Sequence, residues 1–216
     1  MADHTSLELG IDPFSIHEGE RRTWRQLERD ASGCTSCRLH EGRTNVVFGS
    51  GDVEAELMIV GAAPSTHDDL LGRSYVGGAG NLLTNALGDA GIDREATYVT
   101  TFVKCHPPGS RAPQPDEVEA CGGYLLEQLA WVQPRVVVSL GELAMRLFVR
   151  RPYPLGKIAG VRFELYGATF IPTYDPGDAL RGDNQALEGL RRDLATAAAV
   201  LSGRLPPPTR AEVGAS

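Results

Sequence analysis

The chain has 216 residues, a hydrophobic content of 42% and a formal net charge of −7 at pH 7. This length allows one large domain with a substantial core, and the acidic balance means that any surface for nucleic acid must be local. No stretch approaches the roughly 18 apolar residues that cross a membrane, and the start, MADHTSLELG, lacks the basic and apolar parts of a secretory signal. We therefore expect a cytoplasmic protein with no membrane association.

The predicted elements alternate between helices and short apolar strands. Residues 1–22 are polar and mixed, which predicts a flexible N-terminal arm. Thr23 and Gln26 fit a capping box that starts a helix over WRQLERDAS, ending near Gly33. Four apolar runs typical of strands follow at 57–60, 97–103, 135–140 and 169–174. Helical patterns lie at 81–91, 115–132, 141–149 and 186–201.

This alternation predicts an α/β fold over residues 23–202, with a parallel four-stranded sheet sandwiched between helices. Residues 203–216 have the composition of a disordered tail. Ligands of open parallel sheets bind beyond the carboxyl ends of the strands. The loops 61–80, 104–116 and 174–182 all follow strands, so we expect the functional site on their shared edge.

The four cysteines are spaced like metal ligands. Cys34 and Cys37 form a C-x2-C pair, Cys105 follows a predicted strand, and Cys121 lies in the next helix. Four thiolates suit zinc or an iron–sulfur cluster, and the spacing does not separate the two. The plainer alternative is four unrelated buried thiols.

The loop after Cys105, HPPGSRAPQPDE, is stiffened by prolines and flanked by Lys104 and Arg111. Such a loop could contact backbone phosphates of a nucleic acid, or it could be a connector with no partner.

Seven stretches, read together, resemble the iron–sulfur uracil-DNA glycosylases, the fourth family of that superfamily. They are CTSCRL, VVFGSGDVEAELMIVGAAP, GRSYVGGAGNLL, YVTTFVKCHPPGSRAP, EVEAC, VVVSLGELA and PTYDPGDALR, in the family's order from Cys34 to Arg181. The resemblance implies a uracil-DNA glycosylase-like fold with a metal-cluster subsite and a role in base excision on DNA. It also implies that Cys34, Cys37, Cys105 and Cys121 ligate a structural 4Fe–4S cluster that positions DNA-facing loops.

Four positions depart from the family pattern. The first motif, Gly-Glu-Ala-Pro-Gly in the family, begins Gly61-Ala62 here, so the glutamate linked to water activation is absent. The pocket aromatic is Tyr75 in place of phenylalanine, the base-reading asparagine is Thr101, and the histidine of the last His-Pro motif is Asp175. The resemblance thus places Gly61, Tyr75 and Thr101 in a base pocket, with Ala62 at a degenerate catalytic position.

Candidate replacements for the lost groups lie in the same loops. His67, Asp68 and Asp69 could activate water, or they could be a solvated cluster of loop charges. Asp175 could accept a hydrogen bond from another base or stabilise the sugar cation that forms during excision.

The expected DNA-contact residues are better retained. Leu180 is placed to wedge into the gap left by a flipped base, and Arg181 to hold a phosphate, together with Lys104 and Arg111. We expect a monomer that engages damaged or single-stranded DNA. One hypothesis is an N-glycosylase with very weak or lost uracil excision and altered lesion preference; the alternative is a catalytically silent DNA-binding module. A redox or scaffold protein with vestigial DNA contact is a third hypothesis.

Overall fold

The computed structural model describes residues 22–149 and 153–208. Residues 1–21 of the predicted N-terminal arm and residues 209–216 of the predicted tail lie outside these ranges. The described part of that tail, 203–208, stays against the domain. The backbone N–H of Leu205 donates to the carbonyl of Ala199 over 2.9 Å, and its side chain packs on the core.

The described strands form one sheet. They are β1 (Leu57–Gly61), β2 (Thr97–Thr101), β3 (Val136–Leu140), β4 (Phe163–Leu165) and β5 (Ala168–Thr173). Their order across the sheet is β2-β1-β3-β5-β4. The β2, β1, β3 and β5 strands pair in parallel, which confirms the predicted parallel four-stranded sheet between helices.

The edge strand β4 corrects that prediction, because it adds an antiparallel fifth strand and makes the sheet mixed. A two-residue turn joins it to β5, and both turn residues, Tyr166 and Gly167, have positive φ, at 47° and 89°. Such a turn matches the twist of a hairpin. At three residues, β4 is too short for its own sequence to show alternation, so its pairing with β5 decides its conformation.

The helices are α1 (Trp24–Ser32), α2 (Thr66–Leu71), α3 (Gly77–Asp89), α4 (Pro115–Val132), α5 (Gly141–Phe148), α6 (Leu155–Ile158), α7 (Pro176–Leu180) and α8 (Asn184–Leu201). The capping box of Thr23 and Gln26 is formed at α1, as predicted. The short helices α2, α6 and α7 were not predicted, because none is long enough to show a helical repeat. No helix in the described residues is long and apolar enough to cross a membrane.

Both faces of the sheet are buried, which explains the continuous apolar strands. Met58 and Val60 of β1 pack into a cluster with α4 and α5. Their neighbours Leu57 and Ile59 point the other way, into a cluster with α3 and α8. The helical layers therefore cover the faces and leave the carboxyl edge of the parallel strands for the site.

Candidate active site

The carboxyl ends of the parallel strands bring the predicted pocket residues together. Gly61 at the end of β1 is in register with Thr101 at the end of β2. Asp175 follows β5 and lies against Gly141, at the start of α5, where an added Cβ would be 3.1 Å from the Asp175 Cβ. The ends of β1, β2 and β5, with β3 between β1 and β5, thus deliver Gly61, Thr101 and Asp175 to one rim, as expected from the sequence.

Tyr75 reaches across this rim and bonds to Asp175. Its hydroxyl donates to Asp175 Oδ2 over 2.9 Å. It also lies so close to Gly61 that an added Cβ there would be 2.3 Å from the hydroxyl oxygen. Tyr75 has a left-handed backbone, with φ of 52°, and its carbonyl would be 1.9 Å from a Cβ at position 80, so only glycine fits at Gly80. The loop is therefore built to hold the Tyr75 ring over the end of β1.

The Asp175 carboxylate is satisfied on both oxygens. Besides the Tyr75 hydroxyl, it accepts the backbone N–H of Gly177 on Oδ1 over 2.7 Å, which caps α7. Burial raises the pKa of Asp175, while these two hydrogen bonds oppose the rise. Burial and the neighbouring Asp175 charge hold the pKa of Tyr75 well above its ordinary value, so the phenol keeps its proton and acts as the donor.

Asp68 is a structural residue of the first loop. It is 4% exposed, and its carboxylate accepts the backbone N–H of Ser65 over 2.9 Å and of Val76 over 2.8 Å. The first bond completes a capping box at α2. The second fixes the backbone directly after Tyr75, so Asp68 positions the aromatic residue rather than facing the pocket with a free oxygen.

Asp69 and His67 lie on either side of Asp68 in different surroundings. Asp69 is 5% exposed and accepts the backbone N–H groups of Thr44 and Asn45 at 2.9–3.2 Å, which ties α2 to the segment before Val46. His67 is exposed and lies over Gly77 at the start of α3. The three polar residues that the sequence placed together are thus separated by the fold into two buried braces and one solvated imidazole.

Thr101 and Lys104 are both turned inward. The Thr101 hydroxyl donates its only proton to the carbonyl of Val103 over 2.8 Å and is fully buried. Lys104 is 2% exposed, and its ammonium donates to Thr100 Oγ1, the Thr101 carbonyl and Gln128 Oε1 at 2.6–2.7 Å. Burial lowers the pKa of Lys104 to about 7. All three donors of the Lys104 ammonium are used inside the protein, so the predicted phosphate contact would require this side chain to leave the core.

The remaining predicted contact residues lie nearer the surface. Arg111 forms a two-pronged ion pair with Glu117, at 2.6 and 2.8 Å, which clamps the proline-rich loop to α4. Leu180 is 53% exposed and touches the first turn of α3 at Gly78. Arg181 is exposed and pairs with Asp178. Leu180 is thus free to meet a partner, Arg181 is exposed but paired with Asp178, and Arg111 is held by the buried Glu117.

All four cysteines line one cavity, distinct from the rim at Asp175. The cavity lies between α1, the segment 34–43, the loop before α4, and α4 itself. Cys34 and Cys37 are half-buried, and Cys105 and Cys121 are buried. Among the described residues, no group of three or more His, Cys, Asp or Glu side chains is arranged around one metal-ion position.

The thiols have polar neighbours suited to thiolate charge. Arg43 donates to Cys105 Sγ over 3.3 Å, and the backbone N–H of Lys104 donates to Cys121 Sγ over 3.3 Å. Burial alone would raise the pKa of the Cys34 thiol, but hydrogen bonds with Ser36 and Tyr124 and the charge of Arg43 together lower it. Burial raises the pKa of Cys105, and that of Cys121 to about 11. A cationic group bound to the sulfurs would reverse these upward shifts.

Two residues of the site were missed in the sequence. Arg43 bonds to a cysteine and also to the carbonyl of Cys34 over 2.7 Å, but nothing in the segment EGRTN marks it as special. His106 places Nδ1 2.8 Å from the carbonyl of Pro64 and Nε2 3.3 Å from Thr66 Oγ1. Its position directly after Cys105 was the available signal. It joins the cysteine cavity to the loop that follows β1.

Comparisons with known proteins agree with this architecture. The model of the uracil DNA glycosylase superfamily matches residues 48–196. The type-4 uracil-DNA glycosylase of Thermotoga maritima is 42% identical over 156 residues, covering 71% of this chain and 81% of that protein. The enzyme of the same name from Pyrobaculum aerophilum is 40% identical over 185 residues, covering 79% of this chain and 91% of that protein. The type-4 enzyme of Archaeoglobus fulgidus is 47% identical over 118 residues, which is 55% of this chain and 59% of that protein.

Proposed function

Because this chain belongs to the uracil-DNA glycosylase superfamily, we propose that it engages DNA as an iron–sulfur member in which uracil excision is very weak or lost and lesion preference is altered. The superfamily membership supports a DNA ligand and base-excision chemistry. The altered activity follows from the side chains present at the rim that carries Asp175.

The bond between Tyr75 and Asp175 carries the proposal. Excision of a flipped base leaves negative charge on the departing base and positive charge on the sugar. A carboxylate at position 175 would repel the departing base, and the side-chain donor at this rim, the Tyr75 hydroxyl, is already committed to that carboxylate. Loss of one donor aimed at such a charge costs about 10²–10³ in rate.

Water activation is also weakened in the described site. Ala62 offers only a methyl group, and its carbonyl accepts the backbone N–H of Val103. The carboxylates of Asp68 and Asp69 accept backbone N–H groups, so activation of water would require them to leave structural roles. Loss of a positioned general base costs about 10²–10⁴. His67, exposed beside α3, is the least encumbered candidate for residual activity.

We further propose that the cysteine cavity holds a 4Fe–4S cluster. The residues fit such a group, because four thiols face one cavity and Arg43 stands beside Cys105 to offset thiolate charge. When bound, the cluster would supply a rigid crosslink. Cys34 and Cys37 would then be joined to Cys105 and Cys121, and the proline-rich loop between the last two would be held at both ends.

The proposed DNA surface is centred on Leu180, next to the base pocket. This exposed leucine lies over Gly78 at the start of α3, within reach of a gap in a base stack, and Arg181 follows it. Single-stranded or damaged DNA is the proposed ligand because extruding an unpaired or mispaired base costs less than opening an intact pair. The proposed binding unit is a monomer, since one chain carries both pocket and wedge.

The deciding experiment incubates cluster-loaded protein with a panel of single-stranded and duplex oligonucleotides that each carry one modified base. We expect DNA binding with uracil release at least about 10²-fold below that of a type-4 relative, and greater release of another base if the site is an altered enzyme. Binding without release of any base would favour the silent binding module. Uracil release at the relative's rate would refute the proposal.

A restoration series tests the assignment of the lost groups. We expect Ala62→Glu with Asp175→His to excise more uracil than wild type and more than the sum of the single variants, because each group is nearly idle without the other. Thr101→Asn should add discrimination against thymine and cytosine. Tyr75→Phe is added to this set because the family has phenylalanine at this position, and the Tyr75 hydroxyl would otherwise remain beside Gly61.

Asp178→His is the matched control, because it makes the same charge change at a side chain 42% exposed in the next turn. Cluster absorbance and melting temperature check the fold of every variant. A folded restored variant that binds DNA but releases no base would show that the rim is a different site, and would favour the binding module.

A further inference from the structure

A second cavity, of about 180 Å³, lies beside the base pocket. It is an open cleft bordered by the loop 73–77, the first turns of α3, and short segments at 50–51 and 94–95, with a mainly polar lining. This volume is far above the roughly 10–15 Å³ that one water molecule requires, so the cleft admits a tetrahedral oxyanion. Of the individual side chains predicted for the base pocket, only that of Tyr75 lines it.

Two arginines line this cavity, and neither forms an ion pair with a carboxylate of the described residues. Arg73 and Arg94 both line it. In the described ranges neither is among the arginines that form ion pairs within 4.0 Å. Arg94 donates one hydrogen bond, to the carbonyl of Ser74 over 3.3 Å. Glu95 also lines the cavity, and it is an exposed residue.

The two guanidinium groups disfavour each other's charge. Burial lowers the pKa of Arg94, and repulsion from Arg73 lowers it further. The negative charge of Glu95 raises it, but the net shift is downward. Arginine remains charged at physiological pH, so the pair stays cationic. An anion placed between the two groups would remove this repulsion and accept their N–H donors in the planar geometry that suits phosphate.

Ser74 is an independent indication of a ligand. It lines the cavity, is 1% exposed, and its hydroxyl has no hydrogen-bond partner in the part of the chain that the structure describes. Buried hydroxyls are almost always paired, because an unpaired one has lost its hydration without compensation. An oxygen of a bound anion would accept this proton.

We propose that this cavity binds a phosphate group, with Arg73, Arg94 and the Ser74 hydroxyl as donors. The phosphate belongs to the backbone of bound DNA, an identification that rests on the proposed function. Tyr75 borders both this cavity and the base pocket, so the phosphate lies close to the nucleotide whose base is extruded. The site would hold the strand in place beside the pocket.

The first arm of the test uses inorganic phosphate and does not depend on DNA. Melting temperature and calorimetric titration are measured against phosphate, with sodium chloride at matched ionic strength as the reference. We expect phosphate to stabilise the wild type, Arg73→Gln and Arg94→Gln to weaken its binding at least tenfold, and Ser74→Ala to weaken it less. Arg25→Gln, which removes the same charge from an exposed residue outside the cavity, should behave as wild type.

The second arm measures single-stranded DNA affinity against salt. Loss of one phosphate contact should reduce the slope of log K against log salt by about 0.7 in Arg73→Gln, whose exposed side chain can change without unfolding the protein. A phosphate response with unchanged DNA slopes would support the site and reassign it to a free phosphate. Wild-type DNA binding with no phosphate response and unchanged slopes would overturn the inference. Absence of wild-type DNA binding would instead defeat the proposed function, and the first arm would still decide the site.

Discussion

The hydrogen bond between Tyr75 and Asp175 gives the sharpest quantitative prediction. Tyr75→Phe removes only the hydroxyl, so the ring should stay over Gly61 while Asp175 Oδ2 loses a donor at 2.9 Å. Hydrogen bonds to charged groups contribute about 1.5–3 kcal/mol. We therefore expect a loss of about 2 kcal/mol in the free energy of unfolding at neutral pH. Urea denaturation of the purified protein, followed by circular dichroism, measures it.

The cost should depend on pH in a definite direction. Burial raises the folded-state pKa of Asp175 above its unfolded value, so the native protein binds more protons in that window and its stability falls as pH rises through the folded pKa. The Tyr75 hydroxyl stabilises the ionised carboxylate and opposes this loss. Its removal raises the Asp175 pKa further, so Tyr75→Phe should cost most above the folded pKa and less once Asp175 is protonated.

A double-mutant cycle with Asp175→Ser isolates the pair. Tyr153→Phe is the matched control, because Tyr153 is 41% exposed and should cost less than about 0.5 kcal/mol. A Tyr75→Phe cost as small as that of the control would refute the reasoning, as would a cost that does not change between acidic and neutral pH. Either result would mean that the Asp175 carboxylate does not depend on Tyr75.

Three further predictions concern residues that the fold assigns to different tasks. Wild-type protein should absorb broadly at about 400 nm and carry roughly four irons per chain, as expected of a Cys-ligated cubane, and Cys105→Ser should lose both and be less soluble. Anaerobically purified wild type that contains zinc and no iron would contradict the cluster. Asp69→Ala should destabilise the fold by about 2–4 kcal/mol, since the backbone N–H groups of Thr44 and Asn45 lose their acceptor. Any residual excision per folded molecule should stay within about twofold, and a selective loss of excision would make Asp69 catalytic. Lys104→Met should lower stability yet leave the salt dependence of DNA binding unchanged, because the ammonium is buried. A smaller slope of log K against log salt in this variant would instead support the predicted phosphate contact of Lys104.

The presence of four parallel strands and the shared edge of the loops that follow them can be predicted from local patterns, whereas the order of the strands across the sheet cannot. Near-continuous apolar runs such as LMIV, bounded by glycine and proline, predict strands buried on both faces, and the structure confirms this at Met58 and Ile59. Thr23 and Gln26 predict their helix start because capping is a contact between near neighbours. The short strand β4 carries no comparable signal, and its conformation comes from the neighbouring β5.

The roles of the charged residues required the tertiary structure. The sequence predicts Asp68 as a water-activating or solvated loop residue and Lys104 as a phosphate contact, and it singles out nothing at Arg94. In the structure Asp68 braces a loop, Lys104 donates inside the core, and Arg94 lines a polar cavity. A charge has no periodic pattern that tells where its partner lies. Its role depends on acceptors and donors far along the chain, which only folding brings near.

Sequence alone determined that position 175 is an aspartate and position 75 a tyrosine, and that both follow strands or turns leading to one edge. Only the tertiary structure decided that they bond to each other, because 100 residues separate them. The register of β1 and β5 within the sheet sets that distance, and the left-handed backbone of Tyr75 aims the hydroxyl. Local patterns involve residues that are near one another in the chain, so the sequence shows them directly. The pairing that shapes the pocket arises from packing across the whole sheet.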